Sequence, residues 1–321
     1  MGWLLVVGCV VALAVLLERV ADRIGVAAAR AVVDRAEIGE PTHRDPVTGR
    51  GPAALEALSP RFREVQVPVG GGVAPAWEIE PTEGGRSATW AVHIHGLGST
   101  RAGALRAVAA ADELGMTSLV VSYRGDGEAP DGDRVSSLGL REWSDVDAAI
   151  GHARDHGAER VVLIGWSLGG AIALQLTERS IHRDLIDRLV LIGPVTDWRA
   201  AVRQGARQRR LPGWVAAAAL RTLSDRRGSA RVGLPEPIDF VQLDWTRPER
   251  LTVPTLVIHS AGDRHVPLSC SVLFAMANPA LVRLIESSPA EHGWEYNVDP
   301  RGFTDAVVEF LSAAREDDRL G

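Results

Sequence analysis

Ser167 sits in Gly165-Trp166-Ser167-Leu168-Gly169, a Gly-x-Ser-x-Gly pentapeptide. A serine hydroxyl is a weak nucleophile at its own pKa and needs an imidazole to take its proton as it attacks. The chain supplies the remaining groups further on: Asp263 in Gly262-Asp263-Arg264-His265, and His292 in Glu291-His292-Gly293. In such a set Ser167 attacks an acyl carbon, His292 is the general base, and Asp263 fixes the imidazole tautomer and stabilises the imidazolium. The expected oxyanion donors are the backbone N–H groups of Leu168, the residue after the nucleophile, and of Leu97 in His95-Gly96-Leu97-Gly98. Asp197 is the rival acid. Neither cofactor nor metal is expected, since His93 and His95 are separated by one residue and lack a nearby carboxylate.

These residues must be carried to one place by regular elements. The apolar run 161–164 reads as a buried strand and 171–178 as a helix, so Ser167 falls on the strand-to-helix turn between them. Gly165 and Gly169 keep side chains from colliding across that turn. Runs 89–94, 255–259 and 281–285 also read as strands, and they lead into Leu97, Asp263 and His292 respectively. Two further strands, 62–67 and 76–79, flank Gly70-Gly71-Gly72, which reads as a hairpin turn. After 89–94, helix 101–114, strand 118–121 and helix 141–156 continue an alternation that predicts a mostly parallel sheet with helices on both faces.

Serine, then aspartate, then histidine, each at the C-terminal end of a strand, resembles the α/β-hydrolase superfamily over roughly residues 62–311. Segments 194–198 and 294–300 are similar to membrane-associated α/β hydrolases of actinobacteria, most of which have no assigned substrate. One departure is Glu291 before the histidine, where the family often has Gly; its carboxylate either alters histidine basicity or points to solvent. The resemblance implies a serine hydrolase acting on an ester, thioester or amide, esterase- or lipase-like or a peptidase, with a small or lipid-like acyl substrate. A non-catalytic binder of a ligand or partner, or an acyltransferase, is the alternative on the same fold.

The domain plan runs from an apolar helix (1–33), through a Pro- and Gly-punctuated connector (34–60), to a hydrolase core in two parts, 61–196 and 251–321. Between them, 197–250 breaks the alternation with helical, Trp-containing sequence and reads as an inserted lid. That segment carries eleven arginines against six acids on a chain whose net charge is −6. Its arginines form a solvated face, or Arg207, Arg209 and Arg210 meet an anionic surface or substrate. The overall charge gives no basic footprint for nucleic acid. Two cysteines, Cys9 and Cys270, do not make a disulfide framework. Residues 3–17 carry no charge, and the expectation is a single-pass N-terminal membrane anchor; a buried or peripheral helix is the alternative. Arg19, Arg23, Arg30 and Arg35 follow the run and favour a cytoplasmic catalytic domain.

Overall fold

The computed structural model describes residues 2–34, 62–82, 87–129 and 135–320. In chain order it contains α1 (Gly2–Val33), β1 (Phe62–Val69), β2 (Gly72–Ile79), β3 (Thr89–Ile94), a 3-10 turn (Arg101–Ala107) running into α2 (Val108–Glu113), β4 (Thr117–Val121) and α3 (Trp143–Asp155). The elbow follows, with β5 (Arg160–Trp166), α4 (Leu168–Arg179) and β6 (Ile186–Ile192), then α5 (Trp198–Gln208), α6 (Gly213–Ser224) and α7 (Arg226–Arg231). The chain closes with β7 (Thr255–Ser260), α8 (Leu268–Ala277), β8 (Val282–Ser287), α9 (Glu295–Val298) and α10 (Pro300–Leu320). From residue 35 on, the expected connector lies outside the described residues.

The eight strands form one sheet in the order β1-β2-β4-β3-β5-β6-β7-β8. Only β1 with β2 and β2 with β4 pair antiparallel; β3 to β8 are parallel. Side chains alternate between two cores, as a period of two requires. Val161 and Leu163 of β5 enter one core, with α3 and α4, while Val162, Ile164 and Trp166 enter the other, with α2 and α10. Burial on both faces explains why these strands read as unbroken apolar runs. The order of the strands places the C-terminal ends of β3, β5, β6 and β7 side by side, and the chemistry-bearing loops emerge there.

The single-pass anchor expected at the N-terminus is overturned. No helix among the described residues is long and apolar enough to cross a membrane. The uncharged stretch ends after residue 17, short of the roughly 20 residues that a span needs, and Glu18, Arg19, Asp22 and Arg23 follow within the same helix. The second half of α1 packs against the rest of the fold. Ala29 and Val33 are fully buried in the main core, and a Cβ on Gly25 would stand 3.3 Å from the Cβ of Ala218 in α6. The carbonyl of Val33 accepts from the Ser136 N–H at 2.9 Å, Asp34 bridges Val135, and Asp22 pairs with Arg231 at 2.6 Å.

Candidate active site

The turn between β5 and α4 holds Ser167 at φ 52° and ψ −110°, a conformation that a non-glycine residue rarely adopts. Its neighbours permit the strain. A Cβ on Gly165 would lie 2.5 Å from the Gly169 carbonyl oxygen, and one on Gly169 would lie 2.7 Å from that of His95. Strand, helix and the loop after β3 therefore meet at distances that only glycine allows. Leu168 is the first residue of α4, so its N–H lacks an intrahelical acceptor and stands beside Ser167. Leu97 follows Gly96, where a Cβ would be 3.3 Å from the Ser167 Cβ. The loop after β3 thus rests directly on the elbow.

A continuous hydrogen-bonded line runs away from Ser167. Its Oγ is 2.7 Å from Nε2 of His292, and Nδ1 of His292 is 2.6 Å from Oδ2 of Asp263. Asp263 is held from its other side, its Oδ1 accepting from the N–H groups of His265 at 2.8 Å and Val266 at 2.9 Å. The second ring facing Oδ2 is His259, at 3.2 Å, whose Nδ1 contacts the Ser271 hydroxyl at 2.7 Å. Burial works to raise the Asp263 pKa, but the hydrogen bonds from His259 and His292 and the charge of His292 outweigh it, so the carboxyl stays well below its usual range. Burial lowers the His292 pKa, yet the bond to Asp263 and its charge, with a contribution from Glu295, carry it above the ordinary value. Asp197, the rival acid, instead caps α5 by accepting from the N–H groups of Arg199 and Ala200.

Several residues around the line escaped the sequence reading. Glu295 is fully buried next to it, and neither carboxylate oxygen has a hydrogen-bond partner among the described residues. A Cβ on Gly193 would stand 3.1 Å from Oε1 of Glu295, 3.4 Å from Nδ1 of His292 and 3.5 Å from Oδ2 of Asp263, which locates this second carboxyl behind the pair. Burial pushes its pKa up, against the opposing pull of His292. Glu291, by contrast, is exposed. Arg106 reaches from the 3-10 turn to the Gly293 carbonyl and to Oδ1 of Asn297 at 3.2 Å, with its guanidinium 4.0 Å from the Trp166 ring centre. It ties the histidine loop to the 3-10 turn that follows β3.

His95 braces its own loop. Its Nδ1 is 2.9 Å from the Gly96 carbonyl, its Nε2 is 3.2 Å from Asp126, and its ring stacks on Tyr123 at 4.2 Å. Asp126 lies between two glycines at the end of β4, the same setting as an acid at a strand terminus, and that spacing is the signal by which it could have been found. His93 is a buried neighbour of Ser118, 2.9 Å from its hydroxyl, and burial alone pushes its pKa down to about 3. Among the described residues no cluster of three or more His, Cys, Asp or Glu side chains could hold a metal ion.

Above Ser167 and His292 opens a cavity of about 300 Å³. Its lining is mostly aliphatic and comes from α5, α6 and the last turns of α1. Of the three arginines singled out in the sequence, Arg207, Arg209 and Arg210 are all exposed, and only Arg209 lines the cavity. Others of the insert pair with acids, as Arg247 does with Asp244 at 3.2 Å within the insert and Arg250 with Glu178 of α4 at 2.7 Å.

The fold is shared with known hydrolases. An esterase of Pyrococcus furiosus superposes with a TM-score of 0.63 at 18% identity, covering 88% of this chain and 97% of its own. A thermophilic carboxylesterase from a metagenomic library gives 0.57 at 19% identity over 82% and 92%, and mouse α/β hydrolase domain-containing protein 10 gives 0.58 at 16% over 78% and 99%. No curated protein matches in sequence. The model of the α/β hydrolase family matches residues 91–306, two thirds of the chain, running from within β3 to within α10 and including Ser167, Asp263 and His292. The chain therefore belongs to the α/β hydrolase family.

Proposed function

We propose that this chain is a serine hydrolase that cleaves a carboxylic ester, thioester or amide through an acyl-enzyme on Ser167. The unbroken line Ser167–His292–Asp263 at the floor of an apolar cavity carries the reading. As Oγ of Ser167 bonds to the acyl carbon, its proton passes to Nε2 of His292, and Asp263 stabilises the imidazolium that forms. The substrate carbonyl oxygen becomes an oxyanion facing the N–H groups of Leu168 and Leu97, each such donor typically worth about 3 kcal/mol of barrier. The bond to the leaving group breaks as Nε2 returns the proton to it. Water then gives a proton to Nε2 as its oxygen bonds to the acyl carbon, and Nε2 passes that proton to Oγ as the acyl–Oγ bond breaks, releasing the acid and restoring Ser167. In this scheme the insert 197–250 acts as a lid that narrows access to the floor. The esterase function of structural neighbours makes an ester the favoured substrate class.

Rapid mixing with p-nitrophenyl acetate tests the mechanism. A burst of p-nitrophenolate equal to the enzyme concentration, with an acetyl group on the Ser167 peptide by mass spectrometry, is expected. Turnover with no acyl adduct in acid-quenched samples, or an adduct on another residue, contradicts it.

A further inference from the structure

Helix α1 lies wholly outside the family-matched segment, yet it forms a wall of the cavity over Ser167. Its residues divide by helical spacing. Gly25, Ala29 and Val33 recur every fourth position and pack inward, whereas Ala28, Ala31 and Val32 occupy the adjoining face and line the cavity. Facing them are Val202 and Ala206 of α5 and Ala216 and Ala219 of α6. The polar side chains of the lining fall into two groups. Ser167, His265 and His292 lie at the reacting end, and exposed Asp34 and Arg209 mark where the cavity reaches solvent. Between them, Trp198 is the one lining residue whose side chain carries a hydrogen-bonding atom, and that Nε1 is itself buried without a partner among the described residues.

We propose that this cavity binds a linear, medium-length acyl chain, and that Ala28, Ala31 and Val32 of α1 determine the chain length accepted. The proposal rests on the serine hydrolase reading for its chemistry and names the substrate class of that site. A sugar or peptide in such a lining would leave its polar groups without partners, while an alkyl chain satisfies the surface it meets. About 300 Å³ is room for on the order of ten groups of the roughly 30 Å³ that a water molecule occupies in the liquid. Small residues at 28 and 31 keep that room open beside the helix, and Val32 limits it.

The test uses the full chain and p-nitrophenyl esters from acetyl to dodecanoyl. For the unaltered protein, kcat/KM should rise up to about fourfold per added methylene and level off near ten carbons (fourfold being about 0.8 kcal/mol). Ala28→Phe, filling the cavity from α1, should lower the decanoyl-to-acetyl ratio of kcat/KM about tenfold or more. Ala27→Phe, one position round the helix on its exposed face, should leave that ratio unaltered. Binding of decanoate to Ser167→Ala, measured by calorimetry, should weaken by a similar factor when Ala28→Phe is added. An unchanged ratio and unchanged decanoate affinity in a folded Ala28→Phe protein overturn the proposal. If that variant does not fold, Val32→Ala decides: the dodecanoyl-to-decanoyl ratio should rise about threefold, and no rise overturns the proposal. Decanoate bound as expected by a protein that forms no acyl-enzyme would leave the pocket assignment standing and remove the hydrolase reading.

Discussion

Two histidine–aspartate pairs flank Ser167, and they share most of their chemistry. His292–Asp263 and His95–Asp126 both join a ring to a buried carboxylate beyond a strand of the parallel sheet. Oδ1 of each aspartate also accepts two backbone N–H groups, His265 and Val266 for one, Glu128 and Ala129 for the other, and Oδ2 of Asp126 accepts a third from Tyr123. In both, hydrogen bonds and the charge of the histidine outweigh burial and hold the carboxyl well below its usual range. The remaining ring nitrogen separates them. That of His292 meets the Ser167 hydroxyl at 2.7 Å in a side chain 14% exposed, whereas that of His95 lies between the Gly96 carbonyl at 2.9 Å and the Tyr123 hydroxyl at 3.2 Å in a side chain 1% exposed, closed off from substrate. An imidazole can shuttle a proton only when its free nitrogen faces a group that loses one and substrate can arrive. The first pair meets both conditions. The second converts the same interactions into a brace for the loop that carries Leu97.

Exchanging each acid for its amide separates the two roles most strongly. Asp263→Asn should lower kcat about 10⁴-fold with the fold intact, because the imidazole loses its tautomer and its counter-charge. Asp126→Asn leaves Ser167 and His292 in contact, so its loss of kcat should be at least about a hundredfold smaller. Equal losses would erase the distinction.

The pH profile gives a smaller and more specific contrast. His292 must be neutral to accept the Ser167 proton, and its pKa is raised above the ordinary 6.5, so kcat/KM should fall with decreasing pH through a limb lying above that value. Glu295 is one cause of the raised value. Glu295→Gln removes a negative charge that favours imidazolium, so the limb should move to lower pH. Asp126→Asn should leave the limb where it is. A limb fixed in the Glu295 variant and displaced in the Asp126 variant would reverse the assignment.

Tyr123→Phe should have the smallest effect. Its hydroxyl donates to the His95 carbonyl at 2.9 Å within the brace, and its removal should cost about 1 kcal/mol in urea unfolding with little change in the pH limb.

Sequence legibility followed the physical range of each interaction. Ser167 directly follows β5, and Asp263 and His292 lie in the loops beyond β7 and β8, each inside a punctuated motif, so local pattern marks them as candidates. The sheet was equally readable, since burial on both faces turns its strands into apolar runs. Helix 101–114 was read as one element, but the chain forms a 3-10 turn and then a short helix there. Arg106 on that turn contacts Gly293 across 187 residues, a relation that no periodicity encodes. At the N-terminus, the uncharged run at 3–17 suggested a membrane, while the residues that line the cavity lie at 28, 31 and 32. Small side chains there carry little pattern of their own. Their meaning depends on how closely α6 approaches, with Gly25 against Ala218, and only the folded chain shows that approach.

Labelling with a fluorophosphonate, mapped by peptide mass spectrometry, tests the central claim most directly. One adduct on Ser167 is predicted, absent from Ser167→Ala, and formed far more slowly in His292→Gln than in His95→Gln. Labelling that persists in Ser167→Ala, or that is slowed most by loss of His95, would contradict the account.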